Sequence, residues 1–173
     1  MPRATSNELL YVSKSHKERL DTLDHGANLT ARTGYSIESL RSKVVSDRLT
    51  LARSILNSAK NSQNSKTPSF RTATSRAYYA MYHTARALSY YVNGGDDHQE
   101  HSKLPANIPS DFPSRSQWEN ELKQARLHRN RADYDPYPRS DQMFEHNAAD
   151  LIQAAQNLLQ LTRRYLRGKG WNP

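Results

Sequence analysis

The sequence predicts an all-α fold, an up-and-down bundle of four to five helices. Two observations carry this. From Ser36 onward apolar residues recur at helical spacing through four successive segments, and nowhere does the apolar–polar alternation of a strand appear. No internal repeat is visible, so the chain reads as one bundle rather than a solenoid.

The first main helix is expected from Ser36 to near Lys60. Ile37, Leu40, Val44, Leu51 and Ile55 fall on one face, with Val45, Leu49 and Leu56 beside them. A polar run, Asn61 to Lys66, separates it from the second helix, for which Thr67-Pro68 reads as an N-cap and first-turn proline. That helix, about Ser69 to Val92, has two distinct faces. Ala77, Met81, Leu88 and Tyr91 form a core face with Ala80 and Ala87 alongside. Arg76, Tyr79, His83, Arg86 and Tyr90, at intervals of three and four, form a stripe both basic and aromatic. Asn93-Gly94-Gly95 supplies the stop.

Residues 94–113 read as a loop of about twenty residues with three prolines, a length typical of lids or unstructured segments. His98 and His101 lie there near Asp96, Asp97 and Glu100. A metal site is conceivable from these residue types, but a solvated polar loop is the expected state. The third helix is expected from Arg115 to Tyr134, with Trp118, Leu122, Ala125 and Ala132 inward. Arg129 falls on that same stripe and is expected to point inward or into a groove. Asp135-Pro136 ends it, because a residue before proline avoids the α region. The fourth helix begins near Ser140 or Asp141, with Phe144, Ala148, Leu151, Ala155, Leu158 and Tyr165 on its core face. Residues 1–34 form an arm, helical between Asn7 and Leu23 if at all and bounded by Gly26 and Gly34. Residues 35–167 make the bundle and 168–173 a tail.

Composition narrows function. Leu, Ile, Val and Phe make up only 29 of 173 residues, so the core is lean, and a dimer interface would add buried surface. Ten tyrosines and many alanines compensate in part. Net charge is +8, and arginine outnumbers lysine seventeen to eight. The planar guanidinium binds phosphate in two-pronged fashion, so this bias favours RNA or nucleotide phosphates over an ordinary solvated basic surface. The absence of cysteine excludes disulfides, thiolate metal sites and cysteine nucleophiles. No apolar run reaches the roughly twenty residues of a membrane span, and no secretory signal is present, so the expected location is the cytoplasm.

Phe70-Arg71, the run Ser75-Arg76-Ala77-Tyr78-Tyr79-Ala80-Met81-Tyr82-His83-Thr84-Ala85-Arg86-Ala87-Leu88, and downstream Arg131-Ala132-Asp133-Tyr134-Asp135-Pro136 resemble small prokaryotic proteins of the HEPN superfamily. The resemblance covers about residues 36–167. It implies a four- or five-helix bundle, usually a homodimer, with a positively charged cleft and no cofactor. Many members are metal-independent endoribonucleases, including toxins paired with a nucleotidyltransferase antitoxin. Others bind nucleotides or are inactive companion subunits. Active members carry an arginine, a polar residue and a histidine four to six residues beyond the arginine. Arg129 and Asn130 match the first two, whereas the histidine position holds Tyr134. A tyrosine, with an ordinary pKa of about 10, is a poor base at neutral pH.

The residues expected to carry chemistry are therefore Arg129, Asn130 and Tyr134, with His83 as an alternative proton carrier. Arg76, Arg86, Arg129 and Tyr79 are the expected phosphate contacts. Arg19 with His25, Arg76 with His83, and Arg139 with His146 all have suitable spacing. Only His83 lies on the basic aromatic stripe, where a proton carrier and a histidine packed at a dimer interface both remain open readings.

Overall fold

A computed structural model describes residues 4–95 and 100–171. It is all helical, with no strand among the described residues. The chain divides into two compact units, Met1–Leu40 and Arg41–Pro173.

The first unit holds α1 (Ser6–Lys14) and α2 (Lys17–Thr33). Thr5 and Glu8 close a reciprocal capping box at the start of α1, the Glu8 carboxylate accepting from the Thr5 amide at 2.6 Å. The arm is thus more helical than its irregular pattern suggests. Gly26 lies inside α2 instead of bounding it, while Gly34 ends α2 in the left-handed region, as expected. Neither helix contains a buried residue, so the stability of each rests on capping and local pairs.

The second unit is built from most of α3 (Ile37–Asn64), with α4 (Phe70–Asn93), α5 (Arg115–Tyr134) and α6 (Glu145–Gly168). Helix α4 is central and packs on both α5 and α6. Its inner face is built from small residues, among them Ala73, Ala77, Ala80, Thr84 and Ala87, which allow its neighbours close approach. A lean apolar content is sufficient because alanine does much of the filling.

The same preference for alanine overturns the expected face of α3. Its buried stripe is Val45, Leu49, Ala52, Leu56 and Ala59, while Ile37, Val44 and Leu51 are exposed. Counting large apolar residues selected the wrong stripe, since two of the five true core positions are alanines. Helix α5 matches expectation, burying Trp118, Leu122, Ala125 and Ala132.

Helix α4 begins after Ser69, two residues beyond the expected Thr67 cap, and its N-terminal amides are not capped locally. Asp141, just before α6, accepts from the amides of Phe70 and Arg71 at 2.5 and 3.0 Å. A carboxylate at a helix N-terminus satisfies orphan donors and complements the helix dipole. Arg71 answers in the opposite direction. Its guanidinium donates to the carbonyls of Arg131, Ala132, Asp135 and Pro138, closing the C-terminal end of α5, and it lies 4.3 Å from the Phe144 ring centroid. Much of the motif that carried the family resemblance is therefore structural wiring between α4, α5 and the start of α6.

The expected solvated loop after α4 is packed down. A 3-10 turn, Leu104–Asn107, sits within it, and Leu104, Pro105, Ile108 and Phe112 are buried. Arg115 pins it from α5 by donating to the carbonyls of Ile108 and Ala106. The C-terminal tail is held as well. Trp171 is buried, Tyr165 and Lys169 both bond Asp111, and Tyr91 donates to the Lys169 carbonyl.

Candidate functional site

The site forms where the basic aromatic stripe of α4 meets the last turns of α5. Arg129 is its hub. Its side chain is only 16% exposed, as its place on the apolar stripe required, and its Nε pairs with Asp133 at 2.8 Å one turn later. One terminal nitrogen donates to the Tyr79 hydroxyl and the other to Asn130 Oδ1 at 3.1 Å. The rings of Tyr79 and Tyr134 each lie 5.1 Å from the guanidinium carbon. Burial works against the charged form. Tyr79, Asp133 and Tyr134 outweigh it and hold the pKa above the ordinary arginine value. Arg129 is thus a fixed, permanent cation.

Clefts open on two sides of this hub. The first, about 420 Å³, is lined by Arg71, Thr72, Ser75, Arg76, Tyr79 and Asp133. Ser75 donates to Asp133 there at 3.3 Å, and Arg71 is engaged with carbonyls, which leaves Arg76 as the exposed cation of this wall. The second cleft, about 280 Å³, is lined by His101, Ser102, Lys123, Arg126, Leu127 and Asn130.

The remaining expected residues are distributed as follows. Arg86 lies 5.3 Å from the Tyr82 ring centroid. His83 meets the edge of the same ring at 5.2 Å. Tyr134 is 69% exposed, and apart from its contact with Arg129 faces solvent. Arg129, Asn130, Tyr134 and Tyr79 are thus brought together. Arg76 is on the first cleft, and Arg86 with His83 sits around Tyr82.

Lys123 and Arg126 were missed as site residues, and His101 was weighed only as a metal ligand in a solvated loop. Arg126 lies one turn before Arg129, and that spacing was a readable signal. His101 had none, since its neighbours arise only when the loop folds back. Its ring stacks on Tyr82 with centroids 4.1 Å apart and planes 13° apart, and its Nδ1 is 2.5 Å from the Tyr78 hydroxyl. Desolvation, then Arg129, Arg126 and Arg86, push its pKa below the ordinary histidine value. Burial holds the Tyr78 hydroxyl well above the usual tyrosine range, so it stays protonated.

Among the described residues no group of three or more His, Asp or Glu side chains is placed to hold a metal ion. His98, Asp96 and Asp97, considered above for such a site, lie outside the described residues. Among the described residues, no helix is long and apolar enough to cross a membrane.

A family model of the HEPN domain matches residues 45–165, and the chain belongs to the HEPN family. The match spans α4, α5 and both clefts. It places the chain among proteins whose function concerns nucleotides or RNA. No curated protein matches this chain.

Proposed function

We propose that this protein binds single-stranded RNA through its phosphates along the two clefts that flank Arg129, one between α4 and α5 and one between α5 and the 3-10 segment. One observation carries the reading. The fixed cation Arg129 stands between two clefts that each add cations, Arg76 on one side and Lys123 with Arg126 on the other. Positive charge spread over two clefts, with the Tyr79 ring on the wall of one, suits a strand of phosphates and bases better than one compact anion. Arg86 extends the same charge beyond Tyr82. Homodimerisation and a nucleotidyltransferase-type antitoxin as partner belong to this proposal as what family membership implies.

Phosphate contacts leave a signature in salt dependence. For single strands each contact contributes a slope of about 0.7 in log affinity against log salt. Arg76→Ala and Arg126→Ala should each weaken binding of a mixed-sequence RNA and flatten the slope by about that amount, as fluorescence anisotropy across a salt series would read. If both variants bind with the parent's affinity and slope, the two clefts are not the RNA site. Tight binding of free nucleotides with no gain from strand length would replace RNA by a nucleotide as the ligand.

A second reading, a non-catalytic companion subunit of a nucleotidyltransferase, draws on Tyr134. In that position a phenol ring lies over Arg129 where active family members carry an imidazole.

A further inference from the structure

We propose that His101 is the proton-carrying catalytic residue of this protein, acting in the cleft it shares with Lys123, Arg126 and Asn130 on RNA cleaved without a metal. This deepens the RNA-binding reading and rests on it.

Tyr134, which stands where an imidazole is expected, is on one side of Arg129. His101 is on the other, carried by a different segment of chain. Its ring is fixed from two directions, by the face of Tyr82 at 4.1 Å and by the Tyr78 hydroxyl at Nδ1. Such double fixation sets orientation. In the tautomer the proposal requires, Nδ1 carries the proton and donates to the Tyr78 oxygen, which leaves the lone pair of Nε2 for a ligand in the cleft. A histidine whose only role was packing would not need to line a cleft whose other polar walls are two cations, an amide and a hydroxyl.

The surroundings also tune it. The charged and titratable groups around the ring are Tyr78, Tyr79, Tyr82 and Arg86 from α4, Lys123, Arg126 and Arg129 from α5, and Glu100 with Lys103 in its own segment. Glu100 and Lys103 pair with each other at 2.7 Å, so burial first, and then the positive field of Arg129, Arg126 and Arg86, favour the neutral imidazole. A bound phosphodiester adds a negative charge among these arginines. That offsets the field and returns the imidazole toward an affinity for protons suited to neutral pH.

The reaction then balances as follows. His101 Nε2 takes the proton of a ribose 2′-hydroxyl as the 2′-oxygen bonds the adjacent phosphorus. Arg126 and Arg129 hold the charge on the five-coordinate phosphorus. The bond from phosphorus to the 5′-oxygen breaks, leaving a 2′,3′-cyclic phosphate. Water protonates the departing 5′-oxygen, and the hydroxide so formed takes the proton back from His101.

The test uses the full chain, a mixed-sequence RNA and excess chelator, with binding and cleavage measured on the same samples. The parent should cleave, leaving cyclic phosphate and 5′-hydroxyl ends. His101→Gln should lose at least about a hundredfold in rate while binding RNA within about threefold of the parent. Tyr78→Phe, which keeps the imidazole but removes its Nδ1 partner, should retain cleavage with a displaced acid limb in the pH–rate profile. Should His101→Gln fail to fold, as circular dichroism would show, His101→Asn and the Tyr78→Phe pH profile decide. Cleavage by a folded His101 variant within threefold of the parent overturns the proposal. So does an unmoved acid limb in Tyr78→Phe. RNA binding by the parent without cleavage also overturns it, and leaves the binding reading standing. Failure of the parent to bind RNA at all is a different result, one that removes the binding reading itself.

Discussion

The two sides of Arg129 are built from different kinds of sequence. On the side of α5's last turn, motif residues and their partners serve each other. Arg71 closes the end of α5, Asp141 caps α4, and Asp133 holds Arg129. On the side of the 3-10 turn, a histidine with no sequence motif around it lies beside Lys123 and Arg126 in a basic cleft. A residue pattern that marks a family need not be the part that performs chemistry. Charged residues that satisfy buried backbone groups are as constrained as those that touch a ligand, because an unsatisfied buried carbonyl or amide costs about 1–3 kcal/mol.

The comparison breaks first at Arg71. If it is wiring, Arg71→Ala should lower unfolding free energy by about 3 kcal/mol, since a single charged side chain satisfies four carbonyls at and just beyond the C-terminal end of α5. Urea denaturation would read this. A loss under about 0.5 kcal/mol together with a collapse of RNA affinity would make Arg71 a ligand contact instead. Asp141→Ala sharpens the same point with a smaller expected effect, about 1–2 kcal/mol, the usual cost of removing a helix cap. Its RNA binding should stay close to the parent's once folding is allowed for, and a marked change in affinity would again move the motif side toward function.

What could be read from sequence divides along the same line. The bounds of α5 and the inward turn of Arg129 were legible because Trp118, Leu122, Ala125 and Ala132 mark one face and Arg129 interrupts it. The stop at Gly94 was legible because glycine alone adopts left-handed geometry cheaply. The core face of α3 was not, since Ala52 and Ala59 contribute by closeness and carry little weight in any hydrophobic count. Neither was the distant cap of α4 by Asp141, seventy residues away in sequence, where a local Thr67-Pro68 signal pointed elsewhere. His101 was hidden for the same reason. Its stacking on Tyr82 and its bond to Tyr78 are tertiary contacts, and the residues around it in sequence read as a loop.

The central claim is that the chemistry of this protein sits beside His101, in a cleft that an RNA phosphate enters. Titration of the His101 ring by NMR, in the free protein and with a non-cleavable RNA bearing 2′-deoxy sugars, tests it most directly. In the free protein the midpoint should fall below the ordinary histidine value of about 6.5, because desolvation and three arginines oppose protonation. With the nucleic acid bound it should rise, since phosphate charge favours the imidazolium. An unchanged midpoint at saturating RNA, with shift changes confined to Arg163, Arg164 and Arg167 on α6, would contradict the account and move the binding surface to the far end of the chain.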